Sequence, residues 1–105
     1  MEPKIFAQAC AAVTKARCLE LSYRGHARVV EVHVAGYARD GEPLIRVWQV
    51  RGGSTSGEPT GWKMFRLDQV RSAALSREPS QAPRSGYQRN DPTIVRIVCQ
   101  VEEPV

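Results

Sequence analysis

The groups in this chain that could do chemistry are arginines, aromatic rings and a thin scatter of thiols, imidazoles and hydroxyls. Cys10, Cys18, Cys99, His26 and His33 are too widely spaced for the short ligand intervals of a metal site, so no metal is expected. Ser54, Thr55 and Ser56 lie in a glycine-rich stretch, but no Gly-Lys-Ser/Thr follows and no strand-loop-helix frames it. There is no Gly-x-Ser-x-Gly elbow and no evident pair of acidic residues, so neither catalysis nor a cofactor is expected. Arginine and tyrosine chemistry is left. A guanidinium such as Arg28 or Arg66 grips a phosphate with two parallel N–H donors, an imidazole such as His33 adds another, and a ring such as Tyr23 can stack on a base. The same side chains have an ordinary structural use. Arg28 and Arg66 can pair with Glu31 and Asp68, and Tyr23 can simply fill the core. An arginine and an aspartate two apart, as at 66 and 68, would brace a turn. On the residues alone the structural use has the stronger claim.

Composition sets the bounds. At 105 residues the chain makes one domain, with 42% hydrophobic and 25% charged residues, an ordinary globular balance. The net charge of +4 permits an anionic partner without demanding one. Three cysteines are too few and odd in number for a disulfide-stapled secreted domain. The expectation is therefore a reducing compartment, with Cys10 and Cys99 as small core residues. No apolar run approaches the roughly 18 residues of a membrane span. Residues 1–13 lack a basic start and are interrupted by Gln8, which argues against a lipoprotein signal. A cytoplasmic location without membrane attachment is expected.

The elements that must position these groups follow from periodicity. Ile5, Ala9, Val13 and Ala16 recur at helical spacing, widened by Phe6 and Cys10, which predicts a helix from Pro3 to about Ala16. From Cys18 the period is two: Leu19, Leu21 and Tyr23 alternate with polar residues as a half-buried strand. Arg24-Gly25-His26 makes a tight turn into a second strand from Arg28 to about Tyr37, with Val30, Val32 and Val34 on one side and Val29, Glu31 and His33 on the other. Asp40-Gly41 turns the chain into a third strand, Leu44 to Val50, with Pro43 at its entry. The stretch from Arg51 to Gly61 carries four glycines and reads as a flexible connection. Trp62 to Phe65 forms a short strand, Leu67 to Gln69 a helical turn, and Val70 to Ser76 a fifth strand. A Pro-, Ser- and Arg-rich loop from Glu78 to Asn90 precedes a sixth strand, Thr93 to Val101. Trp48, Trp62 and Phe65 can be core anchors, a stacking platform or a partner interface, with Trp62 the tryptophan expected to be partly exposed and core the default for at least one of the three.

Short antiparallel strands of this number cannot bury two faces as an open sheet, and curling removes their edges. The expectation is a mainly β fold: a small SH3-like or Sm-like antiparallel barrel with an N-terminal α-helix and an extra C-terminal strand. Its division is helix 1–17, barrel 18–76, and loop with final strand 77–105.

Four segments in order resemble the WYL domain: Leu19-Glu-Leu-Ser-Tyr23, Arg28-Val-Val-Glu-Val-His33, Asp40-Gly41 before an apolar strand, and Phe65-Arg-Leu-Asp-Gln-Val70. The likeness spans Ala12 to Ser76, and the tail from Gly86-Tyr87 through Thr93 to Gln100 is similar to the ending of short stand-alone members. Departures are plain. The naming tripeptide is Glu42-Pro43-Leu44, the proline expected in the second strand is Val32, and an arginine of the fourth segment is Gln69. The resemblance implies an Sm-like barrel that senses a ligand and regulates transcription, elsewhere usually joined to a DNA-binding winged helix for which 105 residues leave no room. It also implies a ligand site at Arg28, His33 and Arg66 with Tyr23 beside them, and a single-stranded nucleic acid or nucleotide-like anion as ligand. The competing expectation is an interaction subunit that binds a protein partner, or a second copy as a homodimer, through its C-terminal edge strand.

Overall fold

A computed structural model describes residues 4–87, 89 and 91–102. Helix α1 runs Ile5–Lys15 and ends where Ala16 turns left-handed (φ 54°). Pro3, the expected first helical residue, lies outside the described residues. Six strands follow: β1 Arg17–Tyr23, β2 His26–Tyr37, β3 Pro43–Gly52, β4 Gly61–Arg66, β5 Val70–Pro79 and β6 Arg96–Gln100. Arg24 (φ 52°) and Gly25 (φ 78°) join β1 to β2 with both central residues left-handed, the combination whose twist matches a two-residue hairpin.

All pairing is antiparallel, in the order β4-β3-β2-β1-β5. A 3-10 turn, Leu67–Gln69, joins β4 directly to β5. Three residues at about 2 Å rise span only about 6 Å, so the two ends of the sheet path are drawn together and the sheet curls. The inner face holds one core, built from Leu19, Leu21, Val30, Val32, Ile45, Val47, Phe65 and Leu67. Helix α1 closes it with Phe6, Ala9 and Ala12. The chain is thus a mainly β small barrel with an N-terminal helix and an added C-terminal strand, as the periodicity predicts.

Beyond the end of β1, strand β6 pairs with the free edge of β2 at Val34–Tyr37. It is shorter than the expected Thr93–Val101, because the chain turns at Asp91–Ile94 and buries Ile94 separately. Strand β5, in contrast, runs on to Pro79, into the segment expected to be loop.

Two expectations are corrected. Val34 does not share a face with Val30 and Val32. The register against β3 shifts between Val32 and Val34, a bulge that puts Val34 in a second, outer cluster with Leu44 and Ile94. Cys10 and Cys99 are not free core thiols but form a disulfide tying α1 to β6, their Cα atoms 5.8 Å apart. The count of three was odd because Cys18 stands apart, buried, its thiol donating to the Pro79 carbonyl. Burial first, then the nearby Glu31 and Glu78 carboxylates, push that thiol up to about 11, so it stays protonated and unreactive.

Candidate functional site

Strand β2 carries two buried charges, one on each face. Arg28 stands opposite Leu21 on the inner face, at the open end of the barrel, and is only 4% exposed. Its guanidinium lies 5.4 Å from the centroid of Tyr23 and 5.0 Å from that of Phe65, two rings stacked at 4.3 Å. Nη1 donates to Gln49 Oε1 and Nη2 to the Tyr23 carbonyl, each at 3.2 Å. Nε is buried with no partner among the described residues, and no carboxylate pairs with this cation there. Burial, and secondarily the positive charge of Arg24, pull its pKa down, while Tyr23 opposes them.

Gln49, fully buried on β3, sets the pocket behind Arg28. Its Nε2 donates to the carbonyls of Gly53 and Pro59, both at 3.0 Å, which leaves Oε1 turned to the guanidinium. The same two bonds pin the base of the glycine-rich connection. Outside the barrel mouth, Arg24 lies 5.6 Å from the Tyr23 ring centroid. A shallow pocket of about 510 Å³ opens there, lined by Arg24, Asp68, Gln69, Val70 and Arg71. Arg24 and Arg71 make no ion pair among the described residues.

Of the four residues singled out in the sequence, three meet at this end. Tyr23 is buried, and its Oη accepts the backbone N–H of Arg66 at 3.2 Å. The Arg66 side chain is neutralised by carboxylates: its Nη2 donates to Asp68 at 3.0 Å and lies 3.1 Å from Glu42, and these carboxylates raise its pKa, Asp68 foremost. Its Nε, like that of Arg28, is buried without a partner among the described residues. The Arg66–Asp68 pair weighed from spacing is therefore formed. His33 belongs elsewhere.

His33 and Glu31 lie on the outer face of β2, wholly buried. They are covered by the segment that follows β5. Arg84 reaches back to Glu31 through Nε (2.6 Å to Oε1) and Nη2 (3.2 Å to Oε2), and the Gln81 N–H adds a third bond at 2.7 Å. His33 Nε2 accepts the Arg84 backbone N–H at 3.0 Å, so Nδ1 carries the proton and donates to the Glu31 carbonyl at 2.9 Å. Burial pushes the His33 pKa down, with Arg84 assisting and Glu31 opposing, so the ring is neutral. Trp62 and Tyr87 pack on it, and Arg84 lies over Trp48. The Glu31 carboxylate and His33 Nε2 point at the strap from Ser80 to Tyr87, which they fasten.

The sequence leaves Gln49 and Arg24 out of the site and offers Arg84 only as a tail arginine that extends a basic surface or does nothing, whereas it pairs with Glu31. A charged residue in mid-strand, Glu31, was the available signal that some cation must come to it. Among the described residues no cluster of side chains suits a metal ion, and no helix is long and apolar enough to cross a membrane. Fold and site together define a small β-barrel with, at one end, a buried arginine that pairs with no carboxylate among the described residues and, beside it, a pocket lined by Arg24 and Arg71 as well as Asp68. Comparisons with known families, curated proteins and solved structures returned no match to this chain.

Proposed function

We propose that this chain is a non-catalytic binding module that takes a single-stranded nucleic acid or a nucleotide-like anion at the Tyr23–Arg28 end of its barrel. The observation that carries this reading is Arg28, a buried guanidinium with no carboxylate and one unsatisfied N–H. An unpaired buried charge costs several kcal/mol, at an order of magnitude, and a bound anion removes that cost. Arg24 and Arg71 at the neighbouring pocket supply the first, solvent-exposed attraction. Tyr23 is buried and stacked on Phe65, with Arg28 beside both rings, so its role is to position the guanidinium and not to stack on a base. His33, fastened to the strap, is left outside the ligand contacts of this reading. The resemblance to the WYL domain, whose ligand positions fall on Arg28, His33 and Arg66, supports the same end of the molecule through Arg28 and Arg66 but not through His33. It also supports a role in regulating transcription or defence; the cytoplasmic location, expected from the cysteine count and not from that resemblance, requires the Cys10–Cys99 pair to be reduced there.

The test is binding of a short oligothymidylate across a salt series. Affinity falls linearly in log salt for the wild type, and Arg28→Met or the pair Arg24→Ala/Arg71→Ala weakens binding about tenfold or more at fixed salt. Unchanged affinity in both variants sinks the assignment. A second reading, assembly with another copy, rests on β6: among the described residues it pairs with β2 alone, and Val95 just before it is the one large exposed hydrophobic, at 53%. Light scattering showing a dimer that Val95→Lys dissolves would support it.

A further inference from the structure

Far from the barrel mouth, the strap and the turn before β6 leave a pocket of about 400 Å³ against the outer face of β3 and β4. Its walls are Trp62, Gly86, Tyr87, Arg46, Asp91 and Thr93. That volume falls in the range of roughly 300–1,000 Å³ usual for small-molecule sites.

The hydrogen-bonding capacity of the walls is unevenly spent. Trp62 Nε1 donates to the Ser85 carbonyl at 3.1 Å and Tyr87 Oη donates to the Val101 carbonyl at 2.6 Å, so each offers the pocket mainly its ring. Asp91 accepts from Arg46 Nε through Oδ2 and from the Thr93 N–H through Oδ1, both at 2.9 Å. Its carboxylate is 12% exposed, whereas the Arg46 side chain is 29% exposed. Neither Nη of Arg46 has a partner among the described residues. What remains available is an open guanidinium edge beside two aromatic walls.

The walls are also held in place. Trp62 is braced edge-on by Trp48 (5.5 Å, 88°) and by His33 (4.6 Å, 67°). Gly86 has φ +91°, and a Cβ there would stand 3.2 Å from Trp62 Nε1, so glycine leaves the indole uncovered. A preformed wall of this kind loses little freedom when a flat ligand lies on it.

We propose that this pocket is a binding site for a planar aromatic small molecule bearing an anionic oxygen group, with the ring against Trp62 and Tyr87 and the anion on the Arg46 Nη groups. A carboxylate or a phosphate satisfies that fork equally, since both accept two parallel N–H donors. The site is independent of Arg28.

The experiment follows the Trp62 indole N–H and the Arg46 Nε–H by NMR during titration with indole-3-acetate, with guanosine 5′-monophosphate, and with neutral 3-methylindole. Saturable shifts at both groups with either anion support the site, and the anion that binds more tightly distinguishes an aromatic carboxylate from a nucleotide. For the anion that binds, affinity exceeds that of 3-methylindole about tenfold. Arg46→Gln removes that advantage. Thr93→Phe fills the pocket from an exposed position while keeping the backbone N–H on Asp91, and it abolishes the shifts without lowering Tm. Arg28→Met leaves them intact. Absence of shifts with both anions, equal affinity for 3-methylindole, or wild-type binding by Thr93→Phe overturns the proposal.

Discussion

Arg28 and Glu31 are three residues apart on one strand, both buried and both charged, and they are treated in opposite ways. Glu31, on the outer face, receives three hydrogen bonds from Arg84 and Gln81, and the neighbouring His33 receives a fourth from the Arg84 backbone. Arg28, on the inner face, receives neutral partners only and keeps one donor unsatisfied. A closed polar cluster rigidifies what it touches, here the strap. An open one stores an unmet interaction that something from outside can meet. Burial alone therefore does not mark a site; the missing counter-charge does.

The sharpest way to break this contrast is to open the closed side. Arg84→Ala leaves the Glu31 carboxylate buried without its cation and costs about 3–5 kcal/mol in chemical denaturation. Combining Glu31→Leu with Arg84→Met recovers most of that loss, because no charge is then stranded. Recovery failing would mean that the strap depends on the ion pair itself.

Next in size is the cover of the inner face. Reducing Cys10–Cys99 frees α1 from β6 and lowers stability by about 2–4 kcal/mol, read as a shift in denaturant midpoint with and without reductant. The cytoplasmic location proposed above entails reduced thiols. Protein from cells that carries the pair oxidised moves the chain to an oxidising compartment.

A smaller effect comes from pH. His33 has its folded pKa pushed below the ordinary 6.5 by burial, so the unfolded chain binds its proton more readily than the folded one. Stability is then complete above that value and declines as pH falls below 6.5. The slope is at most about 1.4 kcal/mol per pH unit for this one group. Thermal denaturation between neutral and mildly acidic pH measures it, and His33→Gln flattens the profile. Arg28→Met changes stability least, within about 1 kcal/mol in either direction, because relief of the unpaired buried charge is offset by Gln49 Oε1 and the Tyr23 carbonyl, which lose their donor. Its effect falls on anion binding.

Much of the barrel is legible in the sequence because alternation and turn residues are local properties. Leu19-Leu21-Tyr23 and Arg24-Gly25 announce a strand and its hairpin without reference to the rest of the chain. The bulge at His33 is not legible, since a register shift is defined only against β3. It is this shift that brings Val34 to the outer face with His33 and splits the apolar residues between two clusters. The Glu31–Arg84 pair spans 53 residues and the disulfide 89, distances over which spacing carries no information. Tyr23, Arg28 and Arg66 are grouped, together with His33, by the resemblance to the WYL domain and not by spacing, and the commitment of Arg66 to Glu42 as well as Asp68 needs the fold. Gln49 escaped notice because a glutamine in a strand gives no sign of which neighbour will use it.

The most direct test reads the two guanidinium groups side by side. The Nε–H resonances of Arg28 and Arg84 are followed by NMR while a short oligothymidylate is added at low and then higher salt. The account predicts a saturable, salt-sensitive shift at Arg28 Nε, a donor without a partner on a guanidinium without a carboxylate, and none at Arg84 Nε, which is bound to Glu31. A shift at Arg84 with Arg28 unmoved, or no shift at either, would contradict it.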